Sequence, residues 1–268
     1  MAKRLPAVAG QFYPEGRDEL ERLLSRFGKV PLPESYRELL SSAELMGAIL
    51  PHAGYSYSGG IAANGVRALA ANSCSIKTLV VLCPAHRLAF YGMALSSADA
   101  FVTPLGDVKV NRALGDKLLE CESVAVLDQA HQREHAIEVL LPMLRFWLPE
   151  ITIVPIVVGD SAPATVAALL ARVWLQPSTA VIFSTDLSHF LPYEQARQRD
   201  ANTCHQLRRL EGLLTGEQAC GCRSLNGLLQ LSKTLPMRCE PLEYCNSGDT
   251  AGGKDRVVGY ASFAIHRR

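Results

Sequence analysis

Three histidines and one aspartate stand at the ends of short apolar runs that have the composition of β-strands. His52, His86 and His189 each lie just beyond such a run, and Asp186 precedes His189 by three positions. Ligands of open α/β sheets bind outside the carboxyl ends of the strands, so we expect these four side chains to share one pocket. Neutral imidazoles bind zinc, iron and copper well, and two histidines with one carboxylate form the metal site of non-haem iron(II) oxygenases. The pattern predicts that His52 and His86 bind a metal ion and that His189 transfers a proton.

The apolar runs alternate with helical patterns along the chain, and this alternation predicts the fold class. Continuously apolar strands suit a sheet that is covered on both faces. Their order predicts an α/β fold with a mostly parallel central sheet flanked by helices, in one domain over residues 1–268. The predicted strands span 45–50, 78–83, 151–158, 179–184 and 257–265, with an antiparallel hairpin at 101–110.

The predicted helices carry an apolar face at helical spacing. Ser58 is a good N-cap for the first of them. Pro142 is expected to kink the second helix or to divide it in two. The predicted helices span 61–71, 134–147, 163–174, 193–214 and 216–232.

The composition excludes several classes of protein. The 268 residues carry 27 basic and 26 acidic side chains, a balance that argues against binding to duplex nucleic acid or to an anionic membrane. No apolar stretch approaches the roughly 18 residues of a membrane span, and the first residues lack the apolar region of a secretory signal. Without such a signal the eight cysteines are expected to be reduced, so we predict a cytoplasmic protein without structural disulfides. Cys220 and Cys222 lack the βαβ context of a redox pair and are interpreted as ordinary thiols.

Several sequence blocks resemble the Memo family, whose bacterial and archaeal members are called AmmeMemoRadiSam system protein B. The blocks are RLPAVAGQFYP at 4–14, PHAGYSYSG at 51–59, PAH at 84–86, EHAIEVLLP at 134–142, STDLSH at 184–189 and YCNSGD at 244–249. The family is similar in fold to the class III extradiol dioxygenases, which implies an α/β core with a pocket at the strand ends. The resemblance implies that His52 and His86 bind a metal ion. It also implies that Asp186, His189 and His135 are polar catalytic residues of the pocket.

The sequence leaves the third metal ligand open. Animal members of the family carry a metal-contacting cysteine at the position of Thr250, and Asp186 and Asp249 are the candidates here. Because ligand pockets are lined by aromatic side chains, Tyr55 and Tyr57 are predicted to contact the substrate. Asp249 is assigned to the same substrate-binding surface.

Two functions fit these residues. The first is a metal-dependent redox enzyme of the non-haem iron type, in which Fe(II) or another divalent transition metal acts on a small molecule at a His/His/Asp pocket. The second is a non-catalytic accessory protein that binds a peptide or protein in the same cleft. It would work with the AMMECR-type and radical S-adenosylmethionine proteins that the family name implies.

One short motif indicates a different chemistry. His131, Glu134 and His135 fit HxxEH, the motif of inverted zinc peptidases, in which the glutamate is the base. The family resemblance matches only Glu134, His135 and Glu138 in this region, and the sequence shows no clear second domain that could clamp a peptide. Because a short motif needs structural context, the peptidase interpretation is disfavoured.

Overall fold

Four parallel strands form the centre of the sheet in the computed structural model, which describes residues 2–32, 45–71 and 76–268. They lie in the order β8, β3, β9, β2, and each neighbouring pair is parallel. Nearly every residue of these strands is buried, as their apolar composition requires of a sheet covered on both faces. The predicted α/β fold with a mostly parallel central sheet is thus confirmed. The four strands are β2 (Leu45–Leu50), β3 (Thr78–Pro84), β8 (Thr152–Val158) and β9 (Thr179–Ser184).

Shorter strands and one long hairpin extend the sheet on both sides. β12 runs antiparallel between β2 and β11, and β10 also pairs with β12. On the other side β6 pairs with β8, and β5 with β6 forms the predicted antiparallel hairpin. The remaining strands are β1 (Lys3–Arg4), β4 (Met93–Leu95), β5 (Ala100–Phe101), β6 (Val108–Val110), β7 (Val124–Val126), β10 (His189–Leu191), β11 (Met237–Asn246) and β12 (Val257–Arg267).

Helices cover both faces of the sheet and bury two apolar cores. Leu79 and Val81 of β3 belong to one core, whereas Val80 and Leu82 belong to the other, because successive side chains of a strand point to opposite faces. No helix within the described residues is both long and apolar enough to span a membrane. The helices of the described residues are α1 (Arg17–Lys29), α2 (Tyr55–Ala71), α3 (Arg112–Leu118), α4 (Asp128–Gln132), α5 (Leu141–Trp147), α6 (Pro163–Trp174), α7 (Tyr193–Arg209) and α8 (Cys222–Leu231).

The helix predicted at 134–147 begins later than expected. A 3-10 turn starts at Glu138, and α5 follows it. The carboxylate of Glu134 accepts hydrogen bonds from the backbone N–H groups of His135 and Ala136, at 2.9 and 3.1 Å. These bonds hold the segment in a non-helical turn, since local side-chain acceptors compete with the helix for backbone donors. Pro142 lies in the first turn of α5, where its missing N–H leaves no helix bond unmade.

The first long helix begins earlier than predicted. α2 starts at Tyr55, a few residues after β2 ends at Leu50. Ser58, which we expected to cap this helix, lies inside it, and its hydroxyl donates to the carbonyl of Ala53. The early start leaves only a short turn between β2 and α2, and this turn carries His52.

Candidate metal centre

Three histidines converge beyond the carboxyl ends of the central strands. His52 follows β2, His86 follows β3, and His135 lies in the turn before the 3-10 helix. One ring nitrogen from each lies within 4.8 Å of the others. The centroids of the rings of His52 and His86 are 5.2 Å apart, and the ring of His135 lies 5.4 and 4.7 Å from those two. Within the described residues this is the group whose donors could hold a metal ion.

The side chain of Ser184 fixes the orientation and the tautomer of His52. The hydroxyl of Ser184 donates to the carbonyl of Ala136 at 2.6 Å, so its oxygen accepts the hydrogen of His52 Nδ1 at 2.8 Å. Nε2 of His52 therefore keeps its lone pair. Metal-binding histidines are oriented in this way, by a hydrogen bond from the second ring nitrogen to a neighbouring acceptor.

Glu134 does the same for His86. One carboxylate oxygen lies 2.8 Å from Nδ1 of His86, and the other accepts its backbone N–H at 2.7 Å. Burial raises the pKa of Glu134, but the hydrogen bonds and the charge of His86 outweigh this effect, and the pKa falls to about 2. Glu134 is therefore ionised at neutral pH, and it leaves Nε2 of His86 free to bind a cation.

His135 completes the group with an imidazole that is neutral at physiological pH. Burial lowers its pKa to about 4, and the neighbouring His52 contributes to the shift. Its Nδ1 is buried and lacks a hydrogen-bond partner in the described structure, although Glu134 Oε1 lies 3.3 Å away. Burial and His86 also lower the pKa of His52 well below the usual range. Neutral rings are the form that binds a metal ion.

The donor set fits a transition metal, but the ring nitrogens must approach one another when an ion binds. Metal–nitrogen bonds of about 2.0–2.1 Å give a separation of about 3.3 Å between nitrogens in a tetrahedral zinc site. The ring nitrogens of the group lie within 4.8 Å of one another. Imidazole donors suit zinc, iron, copper and nickel, so the set by itself selects a class of metal rather than one element.

Asp186 and His189 lie beside the group but make different contacts. Asp186 is buried, and its carboxylate accepts the backbone N–H of His52 at 2.8 Å. Burial raises its pKa, although the bond from His52 lowers it. His189 is half-buried at the start of β10, and its Nδ1 bonds to the carbonyl of Leu187 at 2.8 Å. The third imidazole of the group belongs to His135, which the sequence had placed among the catalytic residues.

The three residues predicted to bind substrate lie in different environments. Tyr55 is buried, with its hydroxyl bonded to the carbonyl of Val139 and its ring 5.6 Å from that of Tyr13, so the structure gives it a packing role. Tyr57, two residues further along α2, is exposed. Asp249 is exposed and accepts hydrogen bonds from the hydroxyl of Tyr193 and the backbone of Asn246, which closes a short 3-10 helix.

The HxxEH motif does not form a single site. His131 is buried, and its Nε2 donates to the carbonyl of Ala94 at 2.9 Å, apart from the histidine group. Glu134 bonds to His86 instead of facing His131 as a base. The motif did single out Glu134, but as the base of a peptidase and not as the hydrogen-bond partner of His86. Ser184 was visible only as part of the STDLSH block. The sequence drew attention to Cys220 only as one half of a possible redox pair with Cys222, whereas its Sγ lies 3.4 Å from Nε2 of His52.

A cavity of about 430 Å³ opens beside the histidine group. Its wall is mostly apolar and includes the two residues that precede His86. Arg223 and Asp160 are among the lining residues and form an ion pair of 2.6 Å. His86 is the most exposed of the three histidines and directly follows two residues of the cavity wall. The lining includes Pro84, Ala85, Phe90, Tyr91 and Cys220.

Replacing Glu134 by glutamine is expected to weaken metal binding by about 10–100-fold, the usual effect of losing a partner that orients a histidine ligand. The amide keeps the size of the side chain. It removes the negative charge and one of the two carboxylate oxygens that together accept four hydrogen bonds. Calorimetric titration with Zn(II) measures the change. Glu120→Gln is the control, because Glu120 is exposed and pairs with Arg172 on the surface. An affinity within twofold of the original protein would show that Glu134 does not orient a ligand.

Comparison with known proteins relates the whole chain to one family. A family profile described as "Memo-like protein" matches residues 4–264. A relative from Methanobrevibacter smithii, named MEMO1 family protein, is 34% identical and covers 97% of this chain and 98% of its own length. Relatives of the same name from Desulfurococcus amylolyticus and Thermotoga petrophila are 31% and 34% identical, over 99% and 97% of this chain and 100% and 98% of their own lengths.

A solved structure resembles the fold at low sequence identity. The crystal structure of an uncharacterized protein from Escherichia coli K12 superposes with a TM-score of 0.54 at 13% identity. The match covers 82% of this chain and 99% of that protein. At this identity the likeness concerns the fold alone.

Proposed function

Since the chain belongs to the Memo-like protein family, we propose that its histidine group binds a divalent transition metal ion and serves a redox enzyme that acts on a small molecule. The observation that carries the proposal is the convergence of ring nitrogens from His52, His86 and His135 within 4.8 Å. Ser184 and Glu134 support it, because each leaves one nitrogen of a histidine free to bind a cation.

The metal that we propose first is Fe(II). When bound by three imidazoles, such an ion keeps open positions at which a small molecule and O₂ could bind. Zinc, copper and nickel also suit imidazole donors, so the titration below compares several ions.

The residues around the group would perform the remaining tasks. The apolar cavity beside His86 would hold the small molecule and exclude water from it. His189, held through Nδ1 by the carbonyl of Leu187, would take or give a proton at its other nitrogen. Asp186 would position His52 through the backbone hydrogen bond. We also propose that the protein works in the cytoplasm, where its seven described free cysteines would stay reduced.

Metal titration of anaerobically purified protein tests the proposal. We expect one ion of Fe(II), Co(II) or Zn(II) to bind per chain with a dissociation constant in the micromolar range or below. Protein loaded with Fe(II) should then bind nitric oxide, a probe of open coordination positions, and give the electron paramagnetic resonance signal of an iron–nitrosyl complex. Absence of metal binding would contradict the metal site, and a loaded protein without the nitrosyl signal would contradict the enzymatic function.

A second candidate function is an accessory role, in which the cleft binds a peptide or protein and the chain works with AMMECR-type and radical S-adenosylmethionine proteins. Exposed aromatic side chains near the cavity and near His189 favour it, since Tyr91 is 89% exposed and Phe190 is 59% exposed. A protein that binds no metal in the titration would leave this function as the better proposal.

A further inference from the structure

The thiol of Cys220 faces the metal-binding nitrogen of His52. Cys220 lies in the turn before α8, in a part of the chain far from the three histidines in sequence. Its Sγ is 3.4 Å from Nε2 of His52. Since the hydrogen of His52 is held on Nδ1 by Ser184, this Nε2 is an acceptor, and the thiol hydrogen can lie between the sulfur and the ring. A metal ion that replaces this hydrogen would contact both atoms.

The separation of the two atoms matches that of two ligands of one ion. A metal–sulfur bond of about 2.3 Å and a metal–nitrogen bond of about 2.0–2.1 Å at a tetrahedral angle place sulfur and nitrogen about 3.5 Å apart. The observed separation is 3.4 Å. The sulfur and His52 thus need almost no movement, whereas the three imidazoles must close in from within 4.8 Å of one another, and the sulfur must approach the other two rings.

Hydrogen-bond donors surround the sulfur, but burial and the charge of Asp186 raise the pKa of the thiol to about 12, so its deprotonation depends on the metal ion itself. The backbone N–H of Asp186 donates to Sγ at 3.2 Å, and the hydroxyl of Thr185 lies 3.6 Å away. The backbone of Gly221 is anchored in turn, because its N–H donates to Thr185 Oγ1 at 2.9 Å. Hydrogen bonds to a ligand atom from outside the coordination sphere fix its position and stabilise its charge.

We propose that Cys220 is a fourth protein ligand of the metal ion, so that the site has three imidazole nitrogens and one sulfur. This inference rests on the proposed metal site and goes beyond it, because it adds a ligand from a position other than that of Thr250. On binding, the S–H bond breaks, the proton goes to solvent and a sulfur–metal bond forms, with no change of oxidation state. Zinc, which takes four ligands, would then be closed to substrate, whereas iron, which takes up to six, would keep open positions.

Titration with Co(II) under anaerobic conditions tests the fourth ligand directly, because a thiolate bound to Co(II) absorbs intensely in the near ultraviolet and imidazole does not. We expect this absorption in the original protein and in Cys222→Ser, and its loss in Cys220→Ser. The Cys220→Ser protein should still bind Co(II), with an affinity at least about tenfold lower, since losing a ligand costs no less than losing a partner that orients one. Cys222 is the matched control, because it is a half-buried thiol two residues away, at the first position of α8.

The outcomes separate the two proposals. Co(II) binding without the thiolate absorption, or with absorption that persists in Cys220→Ser, would overturn the sulfur ligand and leave the three-histidine site intact. Absence of Co(II) binding in the original protein would overturn both.

Alkylation of the unmodified protein gives a second test that does not depend on a variant. Cys220 is half-buried and lines the cavity, and because burial raises its pKa the labelling with iodoacetamide is carried out at alkaline pH. Saturating Zn(II) should slow its labelling several-fold, as measured by peptide mass spectrometry, and should leave the labelling of Cys222 unchanged. Equal labelling of Cys220 with and without bound Zn(II) would contradict the proposal.

Discussion

Replacing His52 or His86 by alanine is expected to abolish tight metal binding. Each substitution removes one imidazole and leaves a gap that water fills, without a donor of comparable strength. The loss should exceed about 100-fold in affinity, the upper range for residues that only orient a ligand. His135→Ala should have a similar effect, because its ring nitrogen belongs to the same group. Calorimetric titration with Fe(II) under anaerobic conditions measures all three variants.

Two other histidines serve as controls for this result. His205→Ala changes an exposed residue of α7 and should leave the affinity unchanged. His189→Ala should also retain the metal, because its proposed role is proton transfer, whose loss typically lowers a rate by about 10²–10⁴. Unchanged affinity in both His52→Ala and His86→Ala would show that the histidine group is not the metal site.

Breaking the buried ion pair of Arg4 and Glu138 is expected to destabilise the fold by about 3–5 kcal/mol, since either single change leaves a buried charge without its partner. Glu138 is fully buried and accepts hydrogen bonds from the guanidinium of Arg4 and, at 2.7 Å, from the hydroxyl of Tyr13. It also accepts the backbone N–H groups of Ala7 and Val8. Arg4→Met and Glu138→Gln should therefore lower the free energy of unfolding, as measured by denaturant titration.

The matched control for this pair is on the surface. Arg17 and Glu21 are one turn apart on α1, with side chains 63% and 41% exposed, and Arg17→Met should cost less than about 1 kcal/mol. If Glu138→Gln were as stable as Arg17→Met, the network would not stabilise the fold. Loss of Arg4 should also disturb the metal site. Arg4 donates to the carbonyls of His131 and Glu134 and so anchors the segment that carries His135.

The central strands were predictable because their residues are buried on both faces. β2, β3 and β9 fall at or within one residue of the positions that their apolar runs predicted. β11 was not predicted, since most of its side chains are only partly buried and give no continuous apolar run. The predicted start of the helix at 134–147 was wrong for a tertiary reason. Glu134 bonds to His86 and to the backbone N–H groups that follow it, and these bonds keep the segment out of the helix.

The sequence by itself determined that His52 and His86 meet at one edge of the sheet. Strands that run parallel in one sheet end at the same edge, and β2 and β3 lie parallel on either side of β9, so the residues that follow them share that edge. The tertiary structure decided that His135, placed in the pocket by the family resemblance, is the third imidazole, and it added Glu134 and Cys220 to the site. These residues lie outside the strands, in turns whose position depends on how distant segments pack across the sheet. Such contacts join residues 48 to 168 positions apart, and no local pattern in the sequence records them.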